Sequence, residues 1–103
     1  MVKKISENEF AEVQEKAVSL IDFSATWCGP CKMLAPVLDE VSEEMKDSVS
    51  FFNIDVDENP SLAEKFGVSS IPALVILKNG EKADMQVGFQ PKAGIVNFIN
   101  AQL

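Results

Sequence analysis

The order of predicted elements in this 103-residue chain indicates an α/β protein with a mixed sheet covered by helices. Short apolar segments of strand length alternate with segments whose apolar residues recur every three or four positions. The last two strands are joined by Asn79-Gly80, a pair that favours the tight turn of an antiparallel hairpin. The predicted order, β-α-β-α-β-α-β-β-α, therefore gives a central mixed β-sheet flanked by four helices, with the hairpin at one end.

The first part of the chain is predicted to contain a strand, a helix and a second strand. Residues 2–5 suit a short strand. Ser6 followed by Glu9 three positions later has the pattern of a capping box, which predicts a helix that ends near Lys16. Residues 18–24 are almost continuously apolar, as expected of a central strand covered on both faces.

The middle of the chain is predicted to form helix, strand and helix. The segment from Met33 to Met45 has apolar residues at spacings of three and four with acidic residues opposite, and Pro36 inside it predicts a kink. Residues 49–56 alternate as a strand does. Asn59-Pro60 predicts the start of a short helix and Gly67 its end.

The last part of the chain is predicted to form the hairpin and the final helix. The two strands are residues 73–77 and 82–87, joined by the tight turn. Pro91 begins the last helix, which is expected to bury four apolar residues. They are Ile95, Phe98, Ile99 and Leu103.

Composition and charge exclude several classes of partner. Nine Lys against sixteen acidic residues give a net charge of −7, which opposes binding to nucleic acid or to an anionic membrane.

The chain has no His, so proton transfer must use a carboxylate, a Lys or a thiol. Its length suits one domain over residues 1–103. No secretory signal or membrane-length apolar run is visible, so we expect a cytoplasmic protein.

Both cysteines of the chain lie in Trp27-Cys28-Gly29-Pro30-Cys31-Lys32, between a predicted strand and a predicted helix. Two thiols at this spacing can close and reopen a small disulfide, which indicates redox chemistry. Three alternatives stay open: a structural disulfide, half of a zinc site completed by a second copy, and two inert core cysteines. The short loop stabilises little, zinc needs four ligands, and Gly-Pro at a helix start is unusual for inert cysteines.

The positions of the two cysteines predict different roles for them. Cys28 lies at the edge of the helix N-terminus, where free N–H groups stabilise a thiolate, and we expect it to be exposed. Cys31 lies one turn inside the helix, where it is shielded. Cys28 is therefore the expected nucleophile towards a substrate disulfide, and Cys31 the thiol that resolves the mixed disulfide.

Asp22 is the anomaly of the second strand, because a carboxylate is rarely buried without a partner or a purpose. It is a candidate proton acceptor for Cys31. The alternative is a solvated carboxylate at a sheet edge. Ile71-Pro72 and Gly88 are weaker signals, and from pattern alone the bond before Pro72 is expected to be trans.

Several segments together resemble the thioredoxin family along nearly the whole chain. They are Asp22-Phe23-Ser24-Ala25-Thr26-Trp27-Cys28-Gly29-Pro30-Cys31-Lys32, Pro36, Asp57-Glu58-Asn59-Pro60, Ile71-Pro72, Lys78-Asn79-Gly80 and Val87-Gly88. The resemblance implies a thioredoxin fold, a cis bond before Pro72, and a thiol-disulfide oxidoreductase that reduces protein disulfides. It also implies a substrate groove, formed by Trp27, Gly29, Pro30, Ile71, Pro72 and Gly88.

The resemblance further implies that the partners are a thioredoxin reductase and disulfide-containing proteins, with no bound cofactor, no metal and a monomeric chain. Two alternatives remain, a disulfide oxidase or isomerase and a non-catalytic interaction subunit. The chain departs from the family pattern at two positions. Ser24 replaces a frequent second Trp, and Asn53 replaces a common Lys, so we expect Asp22 to lack a partner there.

Overall fold

The sheet contains five strands and is accompanied by four helices, and the computed structural model describes all of residues 1–103. The strands are β1 (Val2–Ile5), β2 (Val18–Ser24), β3 (Ser50–Asp55), β4 (Ala73–Lys78) and β5 (Glu81–Val87). The helices are α1 (Ala11–Gln14), α2 (Gly29–Glu44), α3 (Pro60–Lys65) and α4 (Lys92–Asn100). This is the element order that the sequence predicts, and the α/β fold class is confirmed.

The strand order across the sheet is β1-β3-β2-β4-β5, which places β2 at its centre. β1 and β2 are each parallel to β3, whereas β4 is antiparallel to both β2 and β5. The hairpin turn joins β4 to β5 through Asn79 and Gly80, which both have the positive φ that a tight hairpin requires. The sheet is therefore mixed, and the carboxyl end of β2 lies beside the start of β4.

The two faces of the sheet bury separate apolar clusters. One cluster joins the sheet to α1 and α3 through the helical residues Val13, Leu62 and Ala63. The other joins it to α2 and α4, which contribute Leu34, Leu38, Val41, Ile95 and Ile99. The spacing of the buried α2 residues is the one that predicts this helix, and its acidic residues face outward. No helix is both long and apolar enough to cross a membrane.

The prediction for α1 is wrong in its start and its cap. The helix comprises only Ala11–Gln14, and Phe10, without a capping side chain, precedes it. Glu7 and Asn8 have positive φ values of 55° and 56°, so the chain forms a turn where the capping box predicts a helix. Asn8 is held in that turn because its N–H donates to Asn59 Oδ1 at 2.7 Å. A contact distant in sequence therefore overrides the local helix signal.

The other element predictions differ from the structure mainly at their ends. α2 begins at Gly29, immediately after the first cysteine, and Pro36 lies inside it. Pro91 precedes α4 as its N-cap residue. Leu103 is exposed rather than buried, because α4 ends at Asn100 and the chain continues into solvent beyond it.

Candidate active site

The cysteine pair lies at the N-terminus of α2. Cys28 is the N-cap residue and has extended backbone angles, while Cys31 lies in the first turn. The two are joined in a disulfide with Cα atoms 5.3 Å apart, and the N–H of Cys31 donates to Cys28 Sγ at 3.3 Å. The sulfur of Cys28 therefore occupies the place of a capping acceptor, where helix N–H groups stabilise negative charge.

The expected difference in exposure between the two cysteines is absent in the disulfide form. Cys28 and Cys31 are each 5 % exposed, and both pack with Ala25 in a small apolar cluster. Val56 and Ile71 cover this cluster, so the neighbouring loops shield both sulfurs. What distinguishes the two thiols is their place in the helix, because only Cys28 Sγ accepts the helix N–H.

Asp22 is buried in the central strand. It pairs in register with Asn53 of β3 on one side and with Leu74 of β4 on the other, and it is 5 % exposed. A solvated carboxylate at a sheet edge is therefore excluded. Burial raises the pKa of Asp22 to about 6, and the hydrogen bond from Asn53 opposes part of that increase.

Asn53 remains a partner of Asp22, which corrects the expectation that this substitution leaves Asp22 without one. Asn53 Nδ2 donates to Asp22 Oδ2 at 3.1 Å, to the Asp22 carbonyl at 3.2 Å, and to Ser24 Oγ at 2.9 Å. The other carboxyl oxygen, Asp22 Oδ1, is buried without a partner. Asn53 therefore places a neutral donor where the family commonly has a charged Lys, and Asp22 Oδ1 is left without a hydrogen bond.

A surface cavity of about 240 Å³ is lined by both Asp22 and Cys31, the inner cysteine of the pair. Its lining includes Asp22, Asn53 and Ser24 from the sheet, and Cys31 and Lys32 from α2. A cavity of this size holds several water molecules. Asp22 and the inner cysteine therefore border one space that solvent can enter.

The only Trp of the chain stands beside this pair, 69 % exposed. Trp27 Nε1 donates to Asp57 Oδ2 at 2.9 Å, and the Asp57 N–H in turn donates to Asp55 Oδ1 at 2.8 Å. These two hydrogen bonds restrain the indole ring of Trp27 while most of it stays exposed to solvent. Sequence reasoning assigned no role to Asp57, although an exposed indole at a candidate site needs an acceptor for its N–H.

The end of the sheet where the cysteine pair lies also holds Ile71, Pro72 and Gly88. Ala73 of β4 pairs with both Phe23 of β2 and Val87 of β5. The residues that adjoin these three in sequence therefore lie at the same end of the sheet. The Gly88 N–H donates to the Pro72 carbonyl at 2.8 Å, and Gly88 has a φ of +98°. The bond between Ile71 and Pro72 is cis, as the resemblance implies and pattern alone does not.

The six residues of the expected groove differ in exposure. Trp27, Gly29 and Pro30 are exposed, Ile71 and Gly88 are half-buried, and Pro72 is buried. The chain contains no cluster of His, Cys, Asp or Glu side chains that could hold a metal ion. The arrangement therefore offers an exposed apolar rim, a redox-active disulfide just beneath it, and a carboxylate behind the inner sulfur.

Comparison with known proteins agrees with this architecture along the chain. The thioredoxin family model matches residues 1–101. The thioredoxin of Staphylococcus saprophyticus subsp. saprophyticus is 46 % identical over 102 residues, covering 99 % of this chain and 98 % of the relative. A Staphylococcus aureus thioredoxin is 44 % identical over the same length and with the same coverage.

A solved structure agrees at the level of the backbone. The crystal structure of the Malassezia sympodialis thioredoxin superposes with a TM-score of 0.88 at 38 % identity, covering 98 % of this chain and 90 % of that one. Sequence identity and backbone superposition therefore both relate almost the whole chain to thioredoxins. With its dithiol–disulfide pair at a helix N-terminus, the chain belongs to the thioredoxin family of thiol-disulfide oxidoreductases, whose activity is disulfide reduction.

Proposed function

We propose that this chain reduces disulfides of other proteins with Cys28 as the attacking thiolate, Cys31 as the resolving thiol and Asp22 as the proton acceptor. The observation that most supports these roles is the hydrogen bond from the Cys31 N–H to Cys28 Sγ. A thiolate accepts this bond more strongly than a thiol does, and the N-terminus of the sixteen-residue helix α2 adds a favourable potential.

In the first step, the Cys28 thiolate attacks one sulfur of a substrate disulfide. A bond forms between Cys28 Sγ and that sulfur, the substrate S–S bond breaks, and its electron pair leaves on the second substrate sulfur as a thiolate. The product is a mixed disulfide. The exposed rim around Trp27, Gly29 and Pro30 suits the contact with substrate, and Ile71, Pro72 and Gly88 complete the proposed groove.

In the second step, Cys31 resolves the mixed disulfide. Its thiol proton passes to Asp22 directly or through water in the shared cavity, and Cys31 Sγ then attacks Cys28 Sγ. The bond to substrate breaks, and the remaining substrate sulfur leaves as a thiolate. The substrate gains two electrons, the protein closes its own disulfide, and Asp22 returns the proton to solvent.

The two cysteines serve as controls for each other in the decisive experiment. Reduction of insulin, a model protein disulfide, by dithiothreitol should accelerate with catalytic amounts of the wild-type protein. Cys28→Ser should abolish the acceleration, whereas Cys31→Ser should accumulate a covalent complex with substrate that mass spectrometry detects. A Cys28→Ser variant that forms such a complex through Cys31 would reverse the assignment.

We further propose that a thioredoxin reductase supplies the electrons and that the protein acts as a cytoplasmic, monomeric single domain spanning residues 1–103. Family membership supports the reductase, and a lone redox pair suits a reducing compartment. The test is NADPH oxidation by a flavoprotein thioredoxin reductase in the presence of the oxidised protein. Rejection by that enzyme together with reduction by a ferredoxin-linked one would change the electron source and leave the residue roles intact.

A further inference from the structure

Asn53 contacts only one of the two oxygens of the Asp22 carboxyl group. Its Nδ2 lies 3.1 Å from Asp22 Oδ2, and no group donates to Asp22 Oδ1 although that atom is buried. The amide is itself oriented by two further acceptors, Ser24 Oγ at 2.9 Å and the Asp22 carbonyl at 3.2 Å. The carboxyl group is thus held asymmetrically, with one oxygen bound and the other free.

The free oxygen belongs to a residue that lines the same cavity as Cys31. A carboxylate that accepted hydrogen bonds at both oxygens would be a weaker base, because each bond stabilises its ionised form. A carboxylate without any partner would be held neutral by burial and could turn away from the cysteine. One neutral donor on one oxygen avoids both results.

We propose that Asn53, oriented by Ser24, is a positioning residue for the resolving step: it binds Asp22 Oδ2 and leaves Asp22 Oδ1 to accept the proton of Cys31. This inference rests on the proposed function, since it assumes that Asp22 is the base. The proton moves from Cys31 Sγ to Oδ1 while the bond from Asn53 to Oδ2 remains, so Asp22 keeps its hydrogen bond throughout the step.

The other charged groups near Asp22 are few. Lys32 of α2 lines the cavity shared with Cys31. Lys4 of β1 and Asp39 of α2 line a second cavity of about 220 Å³ that also reaches Asp22. Lys4 Nζ lies 3.6 Å from a Glu58 carboxylate oxygen, and β4 presents only the apolar Leu74. Asn53 is therefore the one side chain that donates a hydrogen bond to the carboxyl group.

The experiment compares Asn53→Leu with the wild-type protein, and Asn97→Leu, an exposed change on α4, is the matched control. Carbon NMR of the carboxyl group follows Asp22 in the oxidised protein, where neither cysteine titrates. We expect Asn53→Leu to raise the pKa of Asp22 by about one unit or more, because it removes a hydrogen bond to the charged form. Asn97→Leu should leave it unchanged.

Rapid mixing of the reduced protein with a chromogenic aromatic disulfide separates the attack by Cys28 from the release by Cys31. Asn53→Leu should shift the pH midpoint of the release phase upward by the amount that NMR gives for Asp22. The same substitution added to Asp22→Asn should change the release rate by less than about twofold, because the base through which it acts is gone.

The wild-type protein offers a test that no folding defect can obscure. The side-chain amide signals of Asn53 should shift with the same midpoint as Asp22, because the N–H donates to that carboxylate. Side-chain amide signals of Asn53 that do not shift as Asp22 titrates would overturn the inference. An Asn53→Leu variant in which the pKa of Asp22 is unchanged or lower would also overturn it.

The two proposals fail differently. If Asp22→Asn releases substrate as fast as the wild-type protein, Asp22 is not the base, and both the proposed role and this inference are wrong. If Asp22→Asn is slow but Asn53→Leu keeps the wild-type pH midpoint, only the role of Asn53 is wrong.

Discussion

Replacing Asp22 by Asn should stabilise the oxidised protein at neutral pH and leave its stability little changed in acid. The carboxyl group is buried in the central strand, and its pKa rises from an ordinary value of 3.8 to about 6. A folded pKa above the unfolded one means that ionised Asp22 opposes folding. Asn has nearly the same shape and can accept the bond from Asn53, but it carries no charge.

The magnitude follows from the size of the shift. A rise of about two units corresponds to about 3 kcal/mol, at about 1.4 kcal/mol for each unit. The destabilisation is absent below the unfolded pKa near 4, grows from there to about pH 6, and is complete above it. The gain in unfolding free energy for Asp22→Asn should follow the same curve.

Urea unfolding of both proteins at about pH 4 and about pH 8 measures this difference. Asp47→Asn, which removes the same charge from an exposed turn, separates the effect of a buried charge from that of net charge. A stabilisation by Asp22→Asn that is the same at both pH values would refute the reasoning. It would mean that the ionised carboxylate is as well solvated in the fold as in the unfolded chain.

Three further predictions concern other parts of the molecule. Reduction should change the emission of Trp27, which adjoins the disulfide and is the only indole, and identical spectra would place the ring away from the sulfurs. Asn53→Lys should lower the pKa of Asp22 in an NMR titration, because it brings a positive charge to the carboxylate; a rise would mean that the ammonium points elsewhere. On α2, Leu38→Ala should cost about 2–5 kcal/mol of unfolding free energy and Met33→Ala almost none, since these residues are 1 % and 63 % exposed. Equal losses would contradict the packing described for this helix.

Much of the fold could be predicted because its signals are local. The apolar run of residues 18–24 indicates a central strand, and Asn79-Gly80 specifies the hairpin through the backbone angles that it adopts. The start of α1 could not be predicted, because Asn8 donates to a side chain that follows it by 51 residues. No pattern around residue 8 contains that information.

The candidate site was predictable in its residues but less so in its contacts. The spacing of the cysteines and the acid in an apolar strand both point to it, yet equal burial of Cys28 and Cys31 depends on Val56 and Ile71, which come from separate loops. The bonds from Asn53 to Asp22 depend on the pairing of β2 with β3. Strand register is a property of the whole sheet, so one strand's sequence cannot give it.

The strand order leaves β1 and β5 at the two edges of the sheet, and this affects how the protein behaves in concentrated solution. An edge strand has unpaired N–H and C=O groups that can bind the edge of another molecule, which is a common start of aggregation. Here β1 has only four residues, two of them the exposed Lys3 and Lys4, and β5 presents exposed Glu81, Lys82 and Asp84. Two β1 edges in contact would bring lysines against lysines, and the net charge of −7 repels whole molecules. The sheet that buries Asp22 in its central strand therefore resists, through the charges on its edge strands, the addition of a sixth strand from a second copy.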